Sequence, residues 1–194
     1  MRKRDDPWKE DRRIRKEQML KAWNENTPAT VLYSLAFSEY VDVLIRLPAN
    51  PNTPPEALVV LSGIKHKGVR CGVACHPNTP PDILGLLAED KVQGVRWEVG
   101  RNLNTPPDVL VDLSYDEDAR VRMGPAGNPN TPPEILASLA HDVNEYVRGE
   151  VAYNPSTPLD AISGMSKDKS EFVQCRISRV DRFVVPSVIR CNSM

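Results

Sequence analysis

Leucine recurs along the chain at a fixed interval. Leu32, Leu58, Leu84, Leu110, Leu136 and Ile162 stand 26 residues apart, and so do Leu35, Leu61, Leu87, Leu113, Leu139 and Met165. The two columns are three residues apart, so within each repeat they share one face of a helix and leave polar residues on the other. A third column, Val43, Val69, Val95, Val121, Val147 and Val173, keeps the same step. In several repeats another valine follows four residues later, as in Val69/Val73, Val95/Val99 and Val147/Val151, which predicts a second amphipathic helix. No alternating β pattern is present.

Polar residues and prolines punctuate the same period. Thr-Pro pairs begin at Thr27, Thr53, Thr79, Thr105, Thr131 and Thr157 with no insertion between them. A fixed step of this size is the mark of a solenoid, in which one helical unit stacks on the next. Each threonine, followed by proline and then by Glu56, Asp82, Asp108, Glu134 or Asp160, reads as an N-cap in a capping box that starts a first helix of roughly ten residues. A further column, Asn24, Asn50, His76, Asn102, Asn128 and Asn154, mostly before proline, ends the second helix. Pro125, close to Gly124 and Gly127, predicts that this second helix is short or 3₁₀-like. Helices this short are marginal in water, so each leucine face must be covered by the neighbouring repeat. The fold class expected is an all-α solenoid of six helix-turn-helix repeats over residues 26–181, between a basic capping helix over 1–25 and a C-terminal cap over 182–194.

Composition changes this picture little. The 18 prolines would suggest disorder if scattered, but they sit in the repeat. Apolar residues make up 40% and charged residues 26%, and no apolar run is long enough to span a membrane. The first residues lack the apolar middle of a secretory signal, and four cysteines without regular spacing suit a reducing, cytoplasmic location.

The unit "NPNTPPEILASLAHDVNEYVRGEVA" resembles the leucine-rich repeat variant family, and the resemblance covers about residues 24–181. It implies paired helices, one α and one often 3₁₀, stacked as a right-handed superhelix. The "D…VR" portion is similar to HEAT repeats of the armadillo type. Some members of the family are associated with an iron–sulfur cluster on a separate cysteine-rich segment; this chain has no cysteine before Cys71, so no cofactor is expected. The first and sixth repeats depart from the pattern at Ala29, Leu44, Leu159 and Gln174, as terminal repeats do.

Candidate chemistry is sparse. The column Arg70, Arg96, Arg122 and Arg148 forms either a basic stripe for phosphates or an acidic partner, or a ladder with the recurring Asp90, Asp116, Asp142 and Asp168. Ile64 takes the Asp place in the repeat of Arg70, which marks Arg70 as a candidate free cation. Cys71, Cys75, His66 and His76 could bind zinc, but their spacing is not that of a zinc finger, and no metal is expected. Two columns vary from repeat to repeat: Ile45, Cys71, Trp97, Met123, Gly149, Cys175, and Ala49, Cys75, Arg101, Gly127, Tyr153, Arg179. Of these, Trp97, Arg101, Met123, Tyr153 and Cys71 are the candidate partner-binding residues. Residues 1–21 hold nine Lys/Arg against five Asp/Glu. Arg12, Arg13, Arg15 and Lys16 there are candidate contacts to phosphate or an acidic partner, unless the segment is only a charged cap with Trp8, Met19, Leu20 and Trp23 as its apolar contacts. At the other end Val184, Val185, Val188 and Ile189 are candidate cap contacts.

No nucleophile–histidine pair, phosphate loop or cofactor fingerprint occurs, so no catalytic residue and no small-molecule substrate are expected. The function expected is a non-enzymatic scaffold for a protein or peptide partner. The alternative is a nucleic-acid-binding solenoid that uses the basic arm and the arginine column, although the pI near 6.3 weighs against it.

Overall fold

A computed structural model describes residues 7–184, with side chains from 8 to 179. The chain divides at Pro106/Pro107 into two compact units. Unit 1 contains α1 (Pro7–Trp23), α2 (Ala29–Leu35), α3 (Val41–Arg46), α4 (Pro55–Ser62), α5 (Lys67–Cys75), α6 (Pro81–Leu87) and α7 (Gln93–Arg101). Unit 2 contains α8 (Pro107–Ser114), α9 (Ala119–Gly127), α10 (Pro133–Leu139), α11 (Glu145–Tyr153), α12 (Leu159–Gly164) and α13 (Glu171–Val184). No strand occurs among the described residues, and the fold class is the expected one, an all-α solenoid of helix pairs. The predicted leucine and valine columns form the cores. Leu32, Leu58, Leu84, Leu110 and Leu136 are all fully buried, as are Val43, Val69, Val95, Val121 and Val147. Each buried aliphatic side chain contributes about 1.5–3 kcal/mol.

The helix lengths differ from the expectation. The first helices have six to eight residues rather than ten, while α5, α7, α9 and α11 have nine each and are α-helical. Among the described residues 3₁₀ structure is confined to short turns, at Leu47–Ala49 after α3 and at Met165–Lys167 after α12. Pro125 stays inside an α-helix because it takes the buried place that Val73, Val99 and Val151 take in other repeats.

The threonines do not cap the helices that follow them. The helix starts two residues after the threonine whether one proline follows it, as at Thr27 and Thr157, or two, so that Pro54 and not Thr53 is the N-cap, with no side-chain bond. Thr53 donates its N–H to the Asn50 carbonyl, so the capping box cannot close. Its hydroxyl instead donates backwards to the Leu47 carbonyl at 2.6 Å. The same bond recurs from Thr79 to Val73, Thr105 to Val99, Thr131 to Pro125 and Thr157 to Val151. The threonine column therefore gives a second donor to carbonyls near the end of the preceding helix, each of which also accepts the N–H three residues on, as Val73 does from His76. Side-chain N-caps occur instead on second helices. Asp118 accepts from the Arg120 N–H, and Asn144 accepts from Tyr146 and Val147.

The asparagine column links repeats. Asn50 donates from Nδ2 to the carbonyls of Ala22 and Asn24, Asn102 to those of Ala74 and His76, and Asn154 to those of Ala126 and Asn128. Because Ala22 and Asn24 serve Asn50 as Ala74 and His76 serve Asn102, α1 holds the register of a second helix. It is attached by Ala22, which is buried, and by polar contacts: Arg15 to Asp42 at 2.8 Å, the Tyr40 hydroxyl to Asp11 at 2.6 Å, and Ser38 to Gln18 at 2.6 Å. Trp8, Leu20 and Trp23 are exposed rather than being its apolar contacts, and Met19 is half-buried. Most of the expected C-terminal cap, including Val185, Val188 and Ile189, lies outside the described residues, and so does the side chain of Val184.

Candidate interaction surface

Arg70, Arg122 and Arg148 of the arginine column form buried to half-buried clamps between repeats. Arg122 donates from Nε and Nη2 to both oxygens of Asp142 at 2.6 and 2.9 Å, and from Nη1 to the Asp116 carbonyl at 2.8 Å. Arg148 meets Asp168 and the Asp142 carbonyl in the same way. The carboxylate comes from the next repeat, twenty residues on, not from six residues before. This corrects the reading of Arg70. Ile64 in its own repeat is irrelevant, because Arg70 pairs with Asp90 and donates to the Ile64 and Lys65 carbonyls. Arg70 is buried and its donors are engaged, so it is not a free cation for a phosphate. The clamps set the acidity of the aspartates. Arg148 holds the Asp168 carboxyl below the usual range against the opposing effect of burial. At Asp142 burial is the largest influence and raises the value, but the Arg122 hydrogen bond and its neighbours outweigh it.

The basic arm is partly compensated. Arg12, Arg13, Arg15 and Lys16 are exposed on α1, but Arg13 pairs with Glu10 at 2.6 Å and Arg15 pairs with Asp42. The cysteines do not gather a ligand set. Burial pushes both the Cys71 and the Cys75 thiols up, with Glu98 adding to the effect. His76 is buried with both ring nitrogens bonded to backbone. Among the described residues no three His, Cys, Asp or Glu side chains are placed to hold a metal ion, and no helix is long and apolar enough to cross a membrane.

The variable columns lie on the outward faces of the second helices. Cys71, Trp97 and Met123 are half-buried there, while Arg101 and Tyr153 are exposed. In unit 1 the Arg101 guanidinium lies 4.9 Å from the Trp97 ring, and Arg46 lies 4.3 Å from the Trp23 ring. In unit 2 Arg176 sits 5.3 Å from the Tyr153 ring and 5.1 Å from that of Phe172, with Glu150 at 3.0 Å. Phe172 also packs on Tyr146 and over Gly149, where a Cβ would come within 2.2 Å of the ring. Only glycine allows α13 to approach α11 this closely. Arg46, Phe172 and Arg176 were not among the residues expected from sequence, and Trp23 was expected only as an apolar contact of the N-terminal cap. Their columns also change type from repeat to repeat, and that was the signal available.

No protein-family model matches the chain, and no curated protein does. Among solved structures the chain is similar to a leucine-rich repeat variant with a novel repetitive structural motif. The TM-score is 0.60 at 23% identity, over 83% of this chain and 64% of that one. An engineered protein gives a TM-score of 0.43 at 16% identity, over 84% of this chain and 92% of that one. The first likeness concerns the fold: the chain is a helical repeat of the leucine-rich-repeat-variant type. It spans 64% of the length of that solved protein.

Proposed function

We propose that the chain is a non-enzymatic, cytoplasmic binding scaffold that presents the outward faces of its second helices to a protein or peptide partner. One observation carries this reading. At the positions of Cys71, Trp97, Arg101, Met123 and Tyr153 the residue type changes on a repeating backbone, and the side chains reach solvent. A side chain needed only for stacking would repeat, as the leucine, threonine and asparagine columns do. Tryptophan, tyrosine and arginine are also the types that dominate binding energy at interfaces. In repeat folds function resides in such surface positions rather than in the fold. The nucleic-acid alternative loses support from the burial of Arg70 and the pairing of Arg13 and Arg15.

The test is affinity capture from the native cell with the wild type and a Trp97→Ala/Tyr153→Ala variant whose helix content is checked by circular dichroism. Loss of a captured protein from the variant is expected. Recovery of the same proteins in the same amounts would overturn the assignment of this surface.

A further inference from the structure

The outward faces of α3, α5 and α7 in unit 1 carry a pattern that narrows the kind of partner; the inference rests on the binding reading above. Arg46 and Arg101 each lie over an indole, that of Trp23 and that of Trp97. Among the described residues neither guanidinium has a hydrogen-bond or ion-pair partner, whereas Arg70, Arg122, Arg148 and Arg176 each hold a carboxylate. Stacking occupies the face of a guanidinium and leaves its edge, with the N–H fork, for a planar anion. The stack also fixes a side chain that would otherwise lose entropy on binding.

The ground between these two cations is apolar or neutral except for Lys67, one turn before Cys71. Ile45 and Ala49 are exposed on the α3 side, and Cys71 and Cys75 occupy the matching places on α5. Beside Arg46 a pocket of about 150 Å³, lined by Ala22, Trp23, Glu25, Arg46, Ala49 and Asn50, has room for one side chain. Two carboxyl groups lie nearby. Glu25 borders the pocket without pairing with Arg46, and Glu98 is half-buried, with its carboxyl pushed up by burial. The wider field is positive, since residues 1–106 hold 16 Lys/Arg against 13 Asp/Glu.

We propose that this face binds an extended peptide whose two acidic side chains reach Arg46 and Arg101 and whose apolar side chains lie on α5 between them. Arg46 and Arg101 are two helix layers apart, about 16–20 Å at the usual spacing of packed helices. An extended chain advances about 3.3 Å per residue, which places the acidic residues about five or six positions apart. A nucleic-acid strand would bring a charge with every nucleotide to a face on which Arg46 and Arg101 are separated by the Cys71/Cys75 stretch of α5, where Lys67 is the one exposed cation of the helix. An acidic–apolar peptide matches both the charge and the gap.

The experiment uses the full chain with Trp8→Phe, so that Trp23 and Trp97 report binding by fluorescence. The probes are valine-rich peptides with two glutamates about two, about five or six, or about ten positions apart, their glutamine counterparts, and an oligo(dT) strand. The middle spacing is expected to bind most tightly. Glutamine replacement, Arg46→Ala or Arg101→Ala should each weaken it about tenfold or more, and added salt should weaken it further. Affinity indifferent to spacing or to both arginine variants, or tighter binding of oligo(dT), would overturn the proposal. Failure of every peptide while native capture still depends on Trp97 overturns the acidic-peptide inference alone. If that capture fails too, the binding reading falls with it.

Discussion

His76 donates from Nε2 to the Asn50 carbonyl at 3.1 Å and accepts at Nδ1 from the Asn78 N–H at 3.0 Å. It thereby copies two of the three bonds of the asparagine column, donating back by 26 residues and accepting from two residues on, without the donation back by 28. This arrangement requires the neutral ring, because a proton on Nδ1 would face the Asn78 N–H. Burial lowers the His76 pKa below its ordinary 6.5, although the bond to Asn50 opposes the shift.

Stability should therefore depend on pH in a window set by this ring. The unfolded chain takes up the proton near pH 6.5 and the folded chain only lower, so the unfolded state binds more protons between those values. The contribution is complete above about pH 6.5 and is lost as pH falls through the folded value. His76→Asn keeps the pattern without a titrating group. Urea midpoints at neutral and mildly acidic pH should converge for the variant and diverge for the wild type. An equal slope in both would exclude His76 as the source.

Removing a clamp arginine should cost more than removing an exposed one. Arg122→Ala leaves the Asp142 carboxylate with the Asn144 N–H but without its bidentate cation, and such a loss costs up to about 3–5 kcal/mol. The Asp142 carboxyl should also rise from its lowered value, because burial then acts with less opposition. In the wild type that lowered value adds stability above the unfolded carboxylate pKa of about 3.9, lost as pH falls through the folded one. Denaturation curves measure the first effect, and carboxyl-carbon NMR titration the second. An unmoved Asp142 pKa would mean that Arg122 is not its main stabilising partner.

Thr79→Val separates the observed role of the threonine column from N-capping. The substitution keeps the buried shape but removes the bond to the Val73 carbonyl, at a cost of about 1–2 kcal/mol. Amide exchange should quicken at His76, at the end of α5, and not at Asp82 in the first turn of α6. Thr79→Ser should behave as wild type. Faster exchange confined to Asp82 would restore the capping role.

The repeat and its core were legible because burial demands the same residue type at the same step, and Leu84 and Val95 declare themselves by recurrence. What a recurring polar residue bonds to was less legible. Thr53 has the right identity for a cap, but its N–H and hydroxyl both bond backwards along the chain, and the helix begins two residues after it, as it does after Thr27 and Thr157 with their single prolines. Arg70 reads as unpaired in the sequence because a one-dimensional reading looks for its carboxylate within the same repeat, where Ile64 stands, whereas stacking brings Asp90 across from the next repeat. The outward columns of Trp97 and Tyr153 could be found by their variability, but Arg46 and Arg176 could not be linked to Trp23 and Tyr153 without knowing which helices touch.

The asparagine and arginine columns together give each unit a direction. A new repeat brings the amide that seeks carbonyls already in place behind it, as Asn102 finds Ala74 and His76. It also brings the carboxylate that closes a waiting cation, as Asp168 closes Arg148. Chain elongation on the ribosome supplies these partners in the order in which they are needed, so each segment leaving the exit tunnel can dock on a finished template.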